Sequence, residues 1–108
     1  MDQYLLDIEK IRSKEICTGV RTKVVSGEQL MLSFVEISEG ADMQMHSHPN
    51  EQVGVVLEGE IDIIIGTATR TLKPGDIYLL PPHVPHGVRS KGKARVLDVF
   101  CPPRKDYL

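Results

Sequence analysis

The sequence predicts an all-β protein with one domain, built as an antiparallel sandwich or barrel. From Val20 onward, short apolar runs recur at regular intervals, which is typical of strands. Glycine and polar turn residues separate these runs, and no helical periodicity lies between them. A chain of 108 residues has room for one hydrophobic core, so we expect no second domain.

Residues 1–19 are predicted as an N-terminal arm and residues 20–108 as the barrel. Leu5, Ile8 and Ile11 lie at roughly helical spacing, but the stretch is short and mixed in charge, so we expect little more than a helical turn. The predicted strands are Val20–Val25, Gln29–Ile37, Asp42–Ser47, Gln52–Leu57, Ile61–Ile65, Arg70–Leu72, Ile77–Leu80, Gly87–Arg89 and Ala94–Phe100.

Two of the turns between these strands have specific signatures. Glu58-Gly59 separates two apolar runs by two residues, which is the spacing of a β-hairpin. Pro74 and Gly75 are the residues that a type II turn favours at its two central positions. We therefore predict a hairpin at Gly59 and a type II turn at Gly75.

The strand Gln29–Ile37 is apolar on both faces, whereas a strand at the surface of a small barrel normally has one polar face. Leu30, Leu32 and Phe34 alternate with Met31, Val35 and Ile37. Two explanations fit equally well: the sheet forms the interface of a homodimer, or the N-terminal arm covers it.

Composition excludes several classes of partner. The 13 basic residues nearly balance the 15 acidic ones, whereas a nucleic-acid groove needs a basic stripe. No apolar run approaches the ~20 residues of a membrane span, and no signal peptide opens the chain. Cys17 and Cys101 form no CxxC pair, so we expect free thiols in the cytoplasm, with one long-range disulfide as the alternative.

The histidines suggest a metal site. His46 and His48 are two residues apart on a predicted strand, so their side chains share one face. Gln52 offers a carbonyl oxygen, and His86 follows a proline-rich turn. Three imidazoles and an oxygen suit a divalent ion such as Zn, Ni, Fe or Mn. The alternative is that the polar His-Ser-His-Pro segment is a surface loop.

The spacing around these residues resembles the two sequence motifs of the cupin family. Gly40, His46, His48, Gln52 and Gly59 keep the intervals of the first motif. The second motif is matched by Gly75, Pro81, His83, His86 and Ser90. The resemblance covers residues from about Val20 to the C-terminus and implies a cupin jelly-roll β-barrel with a metal held inside by both motifs.

Three positions depart from the general cupin pattern. Gln52 replaces the usual glutamate, which removes one negative charge from the implied metal site. His83 replaces a glycine and Ser90 an asparagine. His83 has three interpretations: a fifth ligand, a base that faces substrate, or a solvated loop residue, of which we favour the last.

The final predicted strand carries an unusual charge. Alternation along Ala94–Phe100 places Asp98 on one face with Val96 and Phe100. A carboxylate among apolar side chains is costly to bury unless it is paired or functional. Asp98 is therefore a candidate acid or base, and the alternative is that it pairs with Arg or Lys on a neighbouring strand.

The segments His46–Gln52 and Leu97–Asp106 resemble the pectin-degradation cupins. This resemblance implies conversion of 4,5-unsaturated monouronates, a class of sugar acid, into the linear keto form. It also implies His46, His48, Gln52 and His86 as metal ligands, with catalytic roles for Asp98, Phe100 and Arg104. Two other functions stay open: a small-cupin dioxygenase, and a cupin that binds a sugar or another metabolite without catalysis.

Overall fold

The computed structural model describes all 108 residues, Met1–Leu108, and confirms the predicted all-β architecture. Ten strands form, with short 3₁₀ turns at Asp2–Tyr4, Ile8–Lys10 and Lys105–Tyr107. The strands are β1 (Lys14–Cys17), β2 (Val20–Ser26), β3 (Met31–Ile37), β4 (Asp42–His46), β5 (Glu51–Glu58), β6 (Ile61–Ile65), β7 (Ala68–Leu72), β8 (Ile77–Leu80), β9 (His86–Ser90) and β10 (Ala94–Cys101). None of the helical segments could span a bilayer.

The strands form two antiparallel sheets. The larger sheet has the order β1-β2-β3-β10-β5-β8, and the smaller sheet has the order β4-β9-β6-β7. Apolar side chains from both sheets pack between them, because alternate residues of each strand face inward. The main core consists of Val20, Val35, Ile37, Val56, Ile61, Ile63, Tyr78, Leu80, Ala94 and Val96.

The two predicted turns have different outcomes. Gly75 has φ 92°, and the Asp76 N–H donates to the Lys73 carbonyl at 2.9 Å, so the type II turn is confirmed. The predicted hairpin at Gly59 is wrong, because β5 and β6 belong to different sheets. Gly59 has φ 74°, and a Cβ there would lie 2.2 Å from the Lys93 carbonyl oxygen. Only glycine fits where the chain crosses between the sheets.

Residues 14–17, inside the segment predicted as an arm, form β1, which pairs with β2. This strand is absent from the sequence prediction, because its residues Lys-Glu-Ile-Cys show little apolar alternation. Ahead of β1, the arm approaches the larger sheet where Lys23 Nζ donates to the Ile8 carbonyl at 3.1 Å. Leu5 and Leu6 remain 66% exposed.

The outward side of the larger sheet carries two rows of apolar cross-strand partners, here called the apolar outer face. The rows are Val25, Leu32, Val99, Val53 and Leu79, and Phe34, Leu97, Val55 and Ile77. The arm approaches one side of this face, but Ile77 is 69% exposed and Leu79 is 59% exposed. The inward side chains of β3 therefore pack in the barrel core, and its outward apolar side chains belong to the apolar outer face.

Candidate metal centre and acid–base site

Three histidines converge at one end of the barrel interior. His46 ends β4 and is the cross-strand partner of His86, which begins β9. His48 lies two residues beyond β4, and one ring nitrogen from each histidine lies within 4.8 Å of the others. The segment His46–His48 is therefore not a surface loop with scattered side chains. Three neutral imidazoles in this arrangement could hold a metal ion.

Backbone carbonyls fix the orientation of all three rings. Each Nδ1 lies within hydrogen-bond distance of a carbonyl oxygen two residues away in sequence. The acceptors for His46, His48 and His86 are Gln44, Asn50 and Val84, at 2.8, 3.1 and 2.8 Å. An Nδ1–H that donates to a carbonyl leaves Nε2 with a free lone pair, and this arrangement is usual for metal-ligating histidines.

Burial favours the neutral form of His48 and His86. Desolvation lowers the pKa of His86 to about 4 and also lowers the pKa of His48, with the Arg104 charge as the next contribution. Uncharged imidazole is the form that binds metal, because the lone pair must be free.

The contact between His48 and Gln52 tests whether a cation fits. His48 Nε2 lies 3.0 Å from Gln52 Oε1, while its Nδ1 faces the Asn50 carbonyl. A neutral imidazole has one N–H, so it cannot donate to both oxygens. A cation bound by Nε2 and Oε1 satisfies both groups. The residues present therefore fit a metal ion.

Asp98 lies in the same interior space as this cluster. A small cavity of about 30 Å³ is lined by polar and apolar side chains that include His46, Gln52, His86, Asp98 and Arg104. The carboxyl group accepts a hydrogen bond from the Tyr78 hydroxyl at 2.6 Å, and no Arg or Lys forms a salt bridge with it. The alternative interpretation, a structural ion pair with a neighbouring strand, is therefore wrong.

Burial raises the pKa of Asp98 to about 6, although hydrogen bonds from Tyr78 and Gln52 and the charge of Arg104 act in the opposite direction. A carboxyl group with a pKa near neutrality can both accept and release a proton. This property suits Asp98 for acid–base chemistry.

Arg104 lies at the mouth of the cavity with its guanidinium held on several sides. It forms an ion pair with Asp106 at 2.7 Å, donates to the Tyr107 hydroxyl at 2.8 Å and lies 4.0 Å from the centre of the Tyr107 ring. The buried Phe100 ring contacts Tyr107 edge to face and lies 5.4 Å from the Arg104 guanidinium. Because Nε and Nη2 already donate to the Asp106 carboxylate, a second carboxylate can bind only at the remaining N–H groups of Nη1 and Nη2.

A wider groove opens outside the interior cavity. It has a volume of about 310 Å³ and shares His46, Met43, Arg104 and Tyr107 with the cavity. The interior space holds little more than a water molecule or an ion, so a sugar-sized ligand must lie mainly in the groove. Through the shared residues, such a ligand can extend a group toward the histidines.

His83, the remaining histidine, is exposed and lies outside the three-histidine cluster. It has φ 69°, the left-handed conformation that glycine adopts most easily. Its backbone N–H donates to the His48 carbonyl at 2.8 Å. The structure thus places its side chain as a solvated loop residue and leaves the backbone to support the segment that carries His48.

Sequence reasoning missed three residues that shape the site. Tyr78 contacts Asp98, Tyr107 contacts Arg104, and the Asn50 amide donates to the Pro102 carbonyl at 2.6 Å. The last bond ties the loop after His48 to the segment before Arg104. One sequence signal pointed to the Tyr78 contact. Gly54 is the single glycine in the apolar run of β5, and a glycine inside a strand often marks a site where another group approaches closely.

The two cysteines are unpaired thiols. Cys17 is half-buried and Cys101 is exposed, so the alternative of a long-range disulfide is wrong for this structure.

Comparison with known proteins supports the fold and shows the family. A family model described as "Cupin domain" matches residues 33–100. The pectin degradation protein KdgF of Dickeya dadantii is 32% identical over 111 residues, which span all of both chains. The structure of KdgF from Halomonas sp. superposes with a TM-score of 0.86 and 28% identity, covering 93% of this chain and 94% of that one.

A second solved structure extends this likeness. An RmlC-like cupin from Shewanella frigidimarina superposes with a TM-score of 0.92 and 27% identity, covering 97% of this chain and 96% of that one. The jelly-roll arrangement of two sheets is therefore shared over nearly the whole length.

Proposed function

The chain belongs to the cupin family, and from this membership we propose that it is a metal-dependent enzyme that converts 4,5-unsaturated monouronates into the linear keto form. The observation that carries the proposal is the buried Asp98 carboxyl in the cavity that His46 and His86 of the histidine cluster line. The full-length likeness to a pectin degradation protein supports the choice of substrate class.

We propose that His46, His48, Gln52 and His86 hold one divalent transition metal ion, such as Ni, Zn, Fe or Mn. The free Nε2 lone pairs and the unsatisfied contact between His48 and Gln52 support this ligand set. When bound, such an ion supplies a Lewis acid that polarises oxygen atoms of the substrate. Because Gln52 is neutral, the centre keeps more positive charge than a site with glutamate.

Asp98 carries the proton in this proposal. Its carboxylate takes the proton from the hydroxyl on C1, the bond between C1 and the ring oxygen breaks, and C1 becomes an aldehyde. The ring oxygen stays on C5 as an enolate. Asp98 then returns the proton to C4, which leaves a ketone at C5. The reaction is an isomerisation, so it consumes no oxidant or reductant.

Arg104 binds the substrate in this scheme, and Phe100 supports it. Arg104 faces the shared boundary of groove and cavity, where its guanidinium meets the uronate carboxylate. Phe100 is 1% exposed and lines neither the cavity nor the groove, so its role here is to support Arg104 and His48, whose groups lie 5.4 and 5.6 Å from its ring centre. Both side chains come from the end of β10 and the segment after it, close in sequence to Asp98.

The test is an ultraviolet time course on 4,5-unsaturated galacturonate with protein loaded with Ni, Zn or Mn. We expect the absorbance of the C4–C5 double bond to disappear faster than in buffer, because the ring also opens without a catalyst. Metal-stripped protein is the control, and it should match the buffer rate.

Other outcomes favour the competing functions. Tight binding of the uronate without acceleration by any metal favours a non-catalytic binding protein. Oxygen uptake with an enol or diketone substrate favours a dioxygenase. Either result contradicts the proposed isomerisation.

We also propose that the protein is a homodimer joined through the apolar outer face. Monomeric proteins seldom expose large contiguous apolar patches, and Val53, Ile77 and Leu79 on this face are each at least 40% exposed. A ladder of alternating charge, Glu15, Arg21, Glu36, Arg95 and Glu58, borders the face across five strands. A second copy of the chain can pack its own apolar rows against these, and its acidic and basic residues can pair with those of opposite charge at the border. A cytoplasmic location is part of this proposal, since free thiols persist in a reducing compartment.

Light scattering at micromolar concentration tests the dimer. We expect a mass of twice the 12.1 kDa chain, and the double variant Ile77→Lys/Leu79→Lys should be monomeric, because both side chains are largely exposed and charges there repel the partner. Thr69→Lys on exposed β7 is the matched control and should stay dimeric. A monomeric wild type contradicts the proposal.

A further inference from the structure

Three residues on adjacent strands of the larger sheet form one row. In the sheet register, Asp98 on β10 is the partner of Gly54 on β5, and Gly54 is the partner of Tyr78 on β8. All three face the barrel interior, because alternate residues of a strand share a face. Strand β5 therefore lies between Tyr78 and Asp98, so these two residues are farther apart than direct cross-strand partners.

Because residue 54 is glycine, the Tyr78 side chain can extend over β5 toward Asp98. A Cβ at Gly54 would lie 2.1 to 2.3 Å from atoms of the Tyr78 ring and hydroxyl, so the ring lies directly on the glycine backbone. In this position the hydroxyl reaches the Asp98 carboxyl, with 2.6 Å between the two oxygens. Both side chains are buried, at 7% exposure each.

The hydrogen bond has one direction. Burial, together with the nearby Asp98 charge, raises the pKa of Tyr78 well above its usual range, so the phenol remains protonated and donates to Asp98 Oδ1. Hydrogen bonds from a hydroxyl to a carboxylate at this distance are charge-assisted and strong. The phenol therefore holds one carboxyl oxygen and restricts rotation of the group.

We propose that Tyr78 is a positioning residue for Asp98, acting through this hydrogen bond across Gly54, and this inference rests on the proposed function. Tyr78 holds Oδ1, so proton exchange with substrate takes place at Oδ2. The phenol neither gains nor loses a proton in the reaction. Its contribution is to keep the carboxyl in the orientation that faces the cavity, so it affects the rate of proton transfer and leaves substrate and metal binding unchanged.

Tyr78→Phe removes the hydroxyl and keeps the ring on Gly54. Because small misplacements of a reacting group cost up to about 10²-fold, we expect kcat to fall by roughly 10- to 100-fold. KM should change by less than about twofold, and the metal content should equal that of the wild type. If Tyr78 served folding alone, the variant would be less stable but would not show a lower kcat with an unchanged KM.

Ser90→Ala is the matched control. The buried Ser90 hydroxyl on β9 of the smaller sheet donates to the Gly92 carbonyl, so the variant also loses a buried hydroxyl, and Ser90 does not line the cavity that holds Asp98. We expect its kcat to stay at the wild-type value. A second variant, Gly54→Ala, displaces the Tyr78 ring and should reproduce the loss of kcat, with reduced stability in addition.

The outcomes separate this inference from the proposed function. If the wild type is active and Tyr78→Phe keeps its kcat, or loses it only through KM or metal content, the positioning role is wrong and the proposed function stands. If the wild type accelerates no ring opening with any metal, the proposed function fails first and the inference falls with it. A kcat loss in Ser90→Ala equal to that in Tyr78→Phe also overturns the inference.

Discussion

Asp98→Asn is expected to abolish turnover while the protein remains folded and loaded with metal. General acid–base groups contribute about 10² to 10⁴ in rate, so we expect kcat to fall by about 10²- to 10⁴-fold. Asparagine has the same shape as aspartate, and its amide oxygen can still accept the hydrogen bond from Tyr78. The variant thus removes the proton carrier without opening a cavity in the core.

The measurement is the ultraviolet time course on 4,5-unsaturated galacturonate, combined with thermal unfolding and metal content. Asp62→Asn is the matched control, because Asp62 lies on β6 of the other sheet and accepts a hydrogen bond from Thr71 at 2.7 Å. The control should keep wild-type turnover. If Asp98→Asn retains full activity with normal metal content, Asp98 has no part in proton transfer.

His86→Ala is expected to lose the metal ion and, with it, all metal-dependent activity. His86 is 3% exposed and closes the cluster from the strand opposite His46. A ligand at 100 times its Kd stabilises the folded state by about 2.7 kcal/mol. For a domain of this size that corresponds to a rise in Tm of roughly 10 °C or more. We expect wild-type protein to show such a rise on adding metal, and His86→Ala to show none.

The exposed His83 provides the control for this experiment. His83→Ala removes an imidazole from the neighbouring loop without touching the cluster, so it should bind one metal ion per chain and keep the thermal shift. Elemental analysis after dialysis gives the metal content of both variants. Wild-type metal content in His86→Ala would show that His46, His48 and Gln52 suffice, and the proposed ligand set would then be wrong.

Local pattern was a good guide to the strands and to one turn. Nine of the ten strands coincide with predicted apolar runs, because inward and outward positions alternate along each strand. The turn at Gly75 followed from Pro and Gly at adjacent positions. The hairpin at Gly59 failed because two apolar runs joined by a short turn look the same whether the strands pair or separate into two sheets.

The candidate site was predictable to a similar degree. Motif spacing brought out His46, His48, Gln52 and His86, and the structure gathers the three histidines into one cluster. Asp98 was selected because a charge on an apolar strand is costly to bury. The ring orientations, by contrast, depend on backbone carbonyls whose positions no pattern of residue types reveals.

The sequence by itself determined the all-β class, the candidate residues for the proposed chemistry and the likeness to the pectin-degradation cupins, because these depend on residue type and short spacing. Only the tertiary structure decided which strands pair, where β5 and β6 separate, and which neighbour Asp98 meets. Tyr78 and Asp98 are 20 residues apart and meet because β5 lies between their strands with glycine at the crossing point. Such contacts depend on the register of strands distant in sequence, which local patterns do not encode.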